Sequence, residues 1–280
     1  MSASEALKTE PISPRARPPA GRRSIRVAPP PWAITLLSVA AFLALWSAVT
    51  GLGYVSDLFL PSPLDLWSGL QDLWEEGYKG RSLLEHIGLS LMRVGAGFLT
   101  GAMLGTLLGL GMGYSRRLDA AAAPLIEFLR PLPQLAYLVL LIVWLGIGET
   151  SKITMLFLAA LPVSAVAARD GVRNVAPERI RAAEMLGASR LQIFWYVIAP
   201  SALPEILTGA RLALGIVYGT LIASEIIAGS SGIGWMILDA GRFLRSDYVF
   251  AGILIIGLAG ILIDRALLLI ERRVVHWAGR

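Results

Sequence analysis

The 280-residue sequence is 55% hydrophobic, only 16% charged, and has a mean hydropathy of +0.65. Soluble domains carry roughly 25% charged residues, so this composition indicates a lipid bilayer as the solvent. The net charge of +5 is distributed over short basic stretches between apolar segments, which argues against a nucleic-acid partner, and the absence of cysteine excludes disulfides and thiolate metal sites.

Residues 1–31 form the first compositional segment. They combine seven prolines with several arginines, and such a composition cannot bury an apolar core. We expect a disordered cytoplasmic tail here, followed by a membrane domain over residues 32–280.

Apolar segments long enough for membrane helices follow one another along that domain. The first is near twenty residues long, which favours a membrane span over a cleaved signal peptide. Pro124, Pro131 and Pro133 predict a broken helix before the third. The sequence thus predicts an all-α, polytopic fold with about six spans, at residues 32–49, 83–113, 132–147, 153–168, 206–228 and 249–270.

Two segments between the spans have a character of their own. In the acidic stretch 51–85, apolar residues at helical spacing predict an amphipathic interfacial helix that starts near Pro61 and Pro63. Residues 229–248 are predicted to be a glycine-rich loop whose flexibility would suit gating.

The distribution of Lys and Arg predicts the orientation. With the N-terminus inside, seventeen of these residues fall in inner segments and five in outer ones. Because basic residues are retained on the cytoplasmic side, both termini are predicted to be cytoplasmic.

The inner segment between the fourth and fifth spans predicts two short helices. Pro177 suits a first helical position, Gly187 a left-handed exit, and Ser189 the cap of the second helix. Ile180, Ala183, Leu186 and Gly187 would form a small apolar face that needs a protein partner; the alternative is a surface loop lying on the membrane.

This segment resembles the cytoplasmic signature of the inner-membrane components of binding-protein-dependent importers. The signature is Glu-Ala-Ala, three residues, Gly, nine residues, then Ile-x-Leu-Pro. Ala182, Ala183, Gly187 and Pro200 keep the register, whereas Arg181 replaces the acidic residue and Val197 and Ala199 replace Ile and Leu. The resemblance implies that segment 177–195 couples to an ATPase, chiefly through Glu178, Arg181, Ala182, Ala183, Glu184, Met185, Leu186, Gly187, Ala188 and Ser189.

The resemblance extends over residues 32–277 and is strongest to the nitrate, sulfonate and taurine branch of this family, with the taurine permeases most alike. It rests on the segments 130–133, 144–152 and 203–209. It implies a type I (MetI-like) importer permease in a bacterial inner membrane. The implied partners are a second copy of the chain, two ATP-binding-cassette ATPase subunits and a periplasmic binding protein. Taurine or another sulfonate is the implied substrate, with nitrate and other small anions as alternatives.

No catalytic or metal-binding motif points to an enzyme. The sequence lacks a Gly-x4-Gly-Lys-[Ser/Thr] loop, and its three lysines, Lys8, Lys79 and Lys152, follow no glycine-rich turn. ATP and Mg²⁺ are therefore expected in the partner ATPase and no cofactor in this chain. An ion-coupled secondary carrier is the rival, but we find no internal repeat and only Glu225 as a mid-membrane ionisable group.

Three features inside the predicted spans could serve transport. Glycines recur every fourth residue in the second span, which indicates close helix packing or a sliding surface, with static packing favoured. Arg93 and Glu225 are charges within spans and are candidates for the pathway or a gate. They could pair with each other; for Arg93 an anion contact is open, although snorkelling to the interface is favoured. The glycines are Gly97, Gly101, Gly105, Gly109 and Gly113.

Overall fold

The computed structural model describes residues 30–275 and Trp277. The predicted tail up to residue 29, His276 and the last three residues lie outside the described residues. The chain divides into two compact units, one up to Ala44 and one from Leu45 onwards, and each is described by itself.

Within the described residues the fold is all-α, as predicted, and a single antiparallel bridge joins Tyr78 to Arg81. The helices are α1 (Pro31–Gly51), α2 (Pro63–Glu75), α3 (Leu83–Tyr114), α4 (Arg116–Leu129), α5 (Gln134–Leu145), α6 (Glu149–Arg173), α7 (Pro177–Met185), α8 (Arg190–Ile193), α9 (Ala199–Ala228), α10 (Ile233–Arg242) and α11 (Ser246–Val274).

Five helical segments in the described part of the chain are long and apolar enough to cross a membrane, and a bent pair makes a possible sixth. The pair is α4 and α5, which meet at an angle of 100° across Pro131 and Pro133. The predicted third span, 132–147, corresponds to α5, which is too short to cross a membrane: its 12 residues extend about 18 Å, less than the thickness of a bilayer core. A full span needs α4 as well, from which α5 is separated by the prolines that end the helix.

Packing contacts fix the direction of the central helices. Gly97 lies against Leu156 and Gly113 against Val172, so α3 and α6 run parallel. Gly209 lies against Ala167 and Gly171 against Ala202, so α9 runs the opposite way. The bundle therefore has two ends: the pair end, which carries α7 and α8 between α6 and α9, and the α10 end, where α3 and α6 begin.

The glycine stripe of α3 is a packing surface. A Cβ at Gly101 would overlap the carbonyl oxygen of Phe157, and one at Gly109 that of Ala165. The two helix backbones thus approach each other too closely for any side chain along the length of the stripe. This close contact agrees with the static packing favoured from the sequence.

Helix α9 is preceded by a π-helical turn, Phe194–Ile198, which connects it to α8. The Ala199 N–H donates to the carbonyl of Phe194, five residues back. Pro200 follows, and it has no N–H for a normal helical bond. The helix that contains the predicted fifth span therefore begins at Ala199, before residue 206, and is continuous with α8 through this turn.

Of two further sequence expectations, one is confirmed and the other is wrong. The interfacial helix α2 starts at Pro63 with a capping box between Ser62 and Asp65, in agreement with the prediction. Residues 229–248 are not one loop, because Ile233–Arg242 form helix α10.

Candidate functional site

The coupling candidates lie at the pair end, on a helix ended by a Schellman motif. Gly187 has φ +79°, its N–H donates to Glu184 O (2.9 Å), and the Ala188 N–H donates to Ala183 O (3.1 Å). Ser189 then caps α8 through a capping box with Gln192. Pro177 occupies the first turn of α7. The predicted helix, tight turn and second helix are all present.

The predicted apolar face of this segment divides in two. Ile180 and Ala183 pack against the chain's own core, around Val172 and Ile198 of the neighbouring helices. Met185 and Leu186 instead project outward, with exposed fractions of 83% and 88%. Of the four predicted positions, Ile180 and Ala183 are thus half-buried on the chain's own core, whereas Leu186 and Gly187 are exposed. That this face binds a partner stays a prediction.

The remaining coupling candidates lie on the outer side of this pair or at its turn. Ala183 and Ala188 are half-buried, and the others are exposed: Glu178, Arg181, Ala182, Glu184, Met185, Leu186, Gly187 and Ser189. A groove of about 510 Å³ runs beside them, lined by residues that include Ala182, Leu186, Tyr196, Pro200 and Trp277. Surface-exposed apolar side chains next to a groove form a shape that a protein partner can fill.

A second cluster of candidates lies at the α10 end, around Arg93. Its guanidinium is fully buried and uses its N–H groups in five contacts. Nε and Nη2 donate to the two carboxylate oxygens of Glu149 (2.6 and 2.7 Å), and Nη1 donates to Glu225 (2.6 Å). Nη1 and Nη2 also reach the carbonyl and hydroxyl oxygens of Ser231 (2.9 and 3.0 Å). The pairing of Arg93 with Glu225 is confirmed, whereas snorkelling of Arg93 to the interface is wrong.

Glu225 is held from three sides. Its Oε1 accepts from Arg93 and from the hydroxyl of Ser90 (2.7 Å), and its Oε2 accepts from the backbone N–H of Gly234 (2.8 Å). Its side chain is completely buried. A buried carboxylate is tolerable only with such partners, so the site stabilises Glu225 in one fixed position.

Glu149 is the accessible member of the cluster. It begins α6, its side chain is 43% exposed, and it also accepts from Lys152 Nζ (3.1 Å), whose side chain is buried. Two cations thus face two carboxylates, and the cluster carries no net formal charge. All five donors of Arg93 have acceptors, so the cluster as it stands offers that guanidinium no vacancy for a passing anion.

The same cluster caps helix α10. Gly232 at its N-cap has no side chain to cap the first turn, and side chains from α3 and α9 do so instead. His86 Nδ1 accepts from the Gly232 N–H (3.1 Å), Ser90 Oγ from the Ile233 N–H (3.0 Å), and Glu225 from Gly234. The imidazole therefore carries its proton on Nε2, which lies 3.2 Å from the Tyr78 carbonyl. The glycine-rich loop is anchored at Ser231–Gly234 rather than unattached.

Gly232 is required for this arrangement. Its φ of +106° is one that side-chain-bearing residues rarely adopt, and a Cβ would overlap the carboxylate of Glu225 and approach Arg93. Of the residues in this cluster, Arg93 and Glu225 were predicted from the sequence, whereas five were not: His86, Ser90, Glu149, Lys152 and Ser231. The spacing of His86, Ser90 and Arg93, four and three residues apart on one helix face, is the one local signal that could have found some of them.

A smaller polar group lies next to this cap. Tyr78 donates its hydroxyl to Asp239 (2.8 Å), and Lys79 pairs with the same carboxylate oxygen (2.7 Å). Burial and this hydrogen bond raise the pKa of the Tyr78 phenol, so it remains a donor at neutral pH. Burial alone would raise the pKa of Asp239, but the bonds from Lys79 and Tyr78 lower it below its usual value. The group fixes the turn before α3 to α10.

The sequence of residues 101–276 matches the family described as binding-protein-dependent transport system inner membrane component. The taurine transport system permease protein TauC of Escherichia coli K12 is 41% identical over 247 residues, 88% of this chain and 90% of that protein. A putative aliphatic sulfonates transport permease protein, SsuC of Bacillus subtilis 168, is 37% identical over 88% of each chain. The bicarbonate transport system permease protein CmpB of Synechocystis is 28% identical, over 85% of this chain and 87% of that protein.

A solved structure has the same fold. A chain of the MetNI methionine ABC transporter in an inward-facing conformation superposes with a TM-score of 0.61, covering 69% of this chain and 95% of that one. Its sequence identity of 21% supports the fold alone.

Proposed function

Because the chain belongs to the family of binding-protein-dependent transport system inner membrane components, the permease subunits of ABC importers, we propose that it forms the pathway for a small organic anion, taurine or another sulfonate. The observation that carries this proposal is the 41% identity to a taurine permease over 88% of the chain. Members of this family are transport subunits rather than enzymes, and they work with ATPase and binding-protein partners.

The ATPase docks, in this proposal, on the exposed side of α7 and α8. Met185 and Leu186 provide an apolar contact of two adjacent side chains, and the Schellman turn at Gly187 gives it a fixed shape. Two ATPase subunits would supply ATP and Mg²⁺, since this sequence has no phosphate-binding loop. Segment 177–195 would receive their motion as a rigid element, because its inner side is packed on the core through Ile180 and Ile193.

The pair end would then be cytoplasmic and the α10 end periplasmic, in a bacterial inner membrane. The excess of Lys and Arg in the segments of the pair end supports this orientation, with both termini inside. A periplasmic binding protein would deliver the anion to the α10 end. A second copy of the chain would complete the pathway.

The choice of substrate within the anions is the finer part of the proposal. Relatives named for taurine and for aliphatic sulfonates support a sulfonate. The relative named for bicarbonate supports the second candidate, a permease for other small anions, which include the nitrate implied by the family resemblance. The carrier alternative finds no support in Glu225, because its charge is already compensated by Arg93.

Reconstitution tests the proposal. The chain is coexpressed with its partner ABC ATPase, purified as a complex, and placed in liposomes containing ATP and Mg²⁺, with the binding protein and labelled taurine outside. We expect uptake that requires both ATP and the binding protein. Uptake without ATP that follows an ion gradient would instead support a secondary carrier. Calorimetry of the binding protein with taurine, methanesulfonate, nitrate and bicarbonate separates the substrate classes.

A further inference from the structure

The two ends of the bundle are joined by one tightly packed core of three helices. Val94 of α3, Leu156 and Ala160 of α6, and Val217 and Leu221 of α9 belong to a single buried cluster. Nearer the pair end, α6 and α9 touch through Gly171 and Gly209, where added side chains would meet the opposite helix. Close packing of this kind transmits displacement rather than absorbing it.

Segment 177–195 is attached directly to two helices of this core, α6 and α9. Val175, just before α7, and Ile193 and Ile198, in and after α8, are buried against Ala168 and Ala202. A displacement of α7 and α8 therefore moves α6 and α9 with them.

At the α10 end the attachment is polar instead. The first turn of α10 is held by hydrogen bonds from Gly232, Ile233 and Gly234 to side chains of α3 and α9, and Ser231 is held by Arg93. Glu225 is the central member, because it joins Ser90, Arg93 and Gly234 at once. Without Glu225, the core and the first turn of α10 would lose their strongest common contact.

We propose that Glu225 is a positioning residue for transport. It fixes the first turn of α10 to the core, so that docking of a binding protein at this end stimulates ATP hydrolysis by the ATPase at the other end. The proposal rests on the proposed function. Neither the carboxylate of Glu225 nor its partners touch the transported anion in this role. The coupling it provides is mechanical and depends on the charged hydrogen bonds to Arg93 and Gly234.

The direct test is hydrogen exchange of the intact complex carrying Glu225→Gln. The amide keeps the shape of the carboxylate but removes its charge, and Arg93 keeps Glu149 as a counter-ion. We expect the amides of Gly232, Ile233 and Gly234 to exchange about tenfold faster or more, while those of α7 are unchanged. Ser90→Ala is the second variant: without touching a charge it removes one bond to Glu225 and also the acceptor of the Ile233 N–H, so exchange should rise most at Ile233 and less at Gly234.

The functional readout is the ratio of ATP hydrolysis with and without the binding protein. In Glu225→Gln we expect this ratio to fall about fivefold or more. The matched control is Glu127→Gln, which changes a 63%-exposed carboxylate paired with Arg169 on α6 and should leave the ratio unchanged.

The outcomes separate the two proposals. If the wild-type complex shows no ATP-dependent uptake, the proposed function fails. If the wild type is stimulated and Glu225→Gln is stimulated equally, or if the amides 232–234 exchange as in the wild type in both variants, the positioning role of Glu225 is overturned. A fall in the ratio that also occurs in Glu127→Gln would equally overturn it.

Discussion

The guanidinium of Arg93 and the carboxylate of Glu225 lie 2.6 Å apart, and both side chains are completely buried. The two residues belong to α3 and α9 and are 132 positions apart in the sequence. Within a bilayer such charges are costly unless they are paired, so their contact constrains how these two helices meet.

Removing one partner of this pair should cost more than removing both. Arg93→Leu leaves Glu225 buried without its cation, and we expect a loss of about 3–5 kcal/mol in the free energy of unfolding. In the double variant Arg93→Leu, Glu225→Leu the remaining Glu149 and Lys152 still neutralise each other, so part of the loss is recovered. Unfolding in mixed micelles measures both. A double variant less stable than Arg93→Leu would show that the pair does not account for the loss.

The glycine stripe gives a matched pair of substitutions on one helix. The Cβ of Gly105→Ala would overlap the carbonyl oxygen of Leu161, and we expect a loss of about 1–3 kcal/mol in the free energy of unfolding. Gly95→Ala meets no atom within 4 Å, and we expect a gain of up to about 1 kcal/mol. The two values are measured in the same mixed micelles. Equal effects at both positions would contradict close packing of α3 on α6.

Replacing Gly187 tests the turn between α7 and α8. Its φ of +79° is strained for other residues, whereas no atom lies within 4 Å of an added Cβ. Gly187→Trp should therefore disturb the turn and the docking surface, and uncouple ATP hydrolysis from uptake while the protein remains in the membrane. Gly187→Asn should retain coupling, because asparagine tolerates this backbone conformation.

The control for this prediction is Gly146→Trp. Gly146 has a φ of +81° and equally open surroundings, but it lies at the other end of the bundle, before α6. Hydrolysis and uptake are measured together in proteoliposomes. Normal coupling in Gly187→Trp would argue strongly against the coupling assignment.

The exposed apolar pair on α7 predicts a docking defect without a folding defect. Leu186→Asp introduces a charge at a position that is 88% exposed, so we expect the free energy of unfolding to change by less than about 0.5 kcal/mol. Copurification of the ATPase should nevertheless fall severalfold, because a charge in an apolar contact resists desolvation. The matched control is Ile147→Asp, which introduces the same charge at a 79%-exposed apolar residue at the α10 end and should leave copurification unchanged. Undiminished copurification with Leu186→Asp would remove α7 from the interface.

Local sequence signals predicted much of the architecture. The long apolar segments, Pro177 and Gly187 around α7, and Ser189 before α8 all act through their own neighbours in the chain, so hydropathy and capping rules suffice. The break between α4 and α5 follows in the same way from Pro131 and Pro133. The spacing of Ala182, Ala183, Gly187 and Pro200 carried the family resemblance.

The tertiary structure decided what depends on partners distant in the sequence. Whether Ile180 faces a partner or its own core, and whether Arg93 snorkels or is buried, depends on which helices pack around each side chain. The capping of α10 is a clear case, because Gly232 supplies no side chain and its substitutes, His86, Ser90 and Glu225, come from other helices. Sequence thus determined the helices and the family, since these follow from local composition and pattern, while the charge cluster emerged only when three helices were brought together in space.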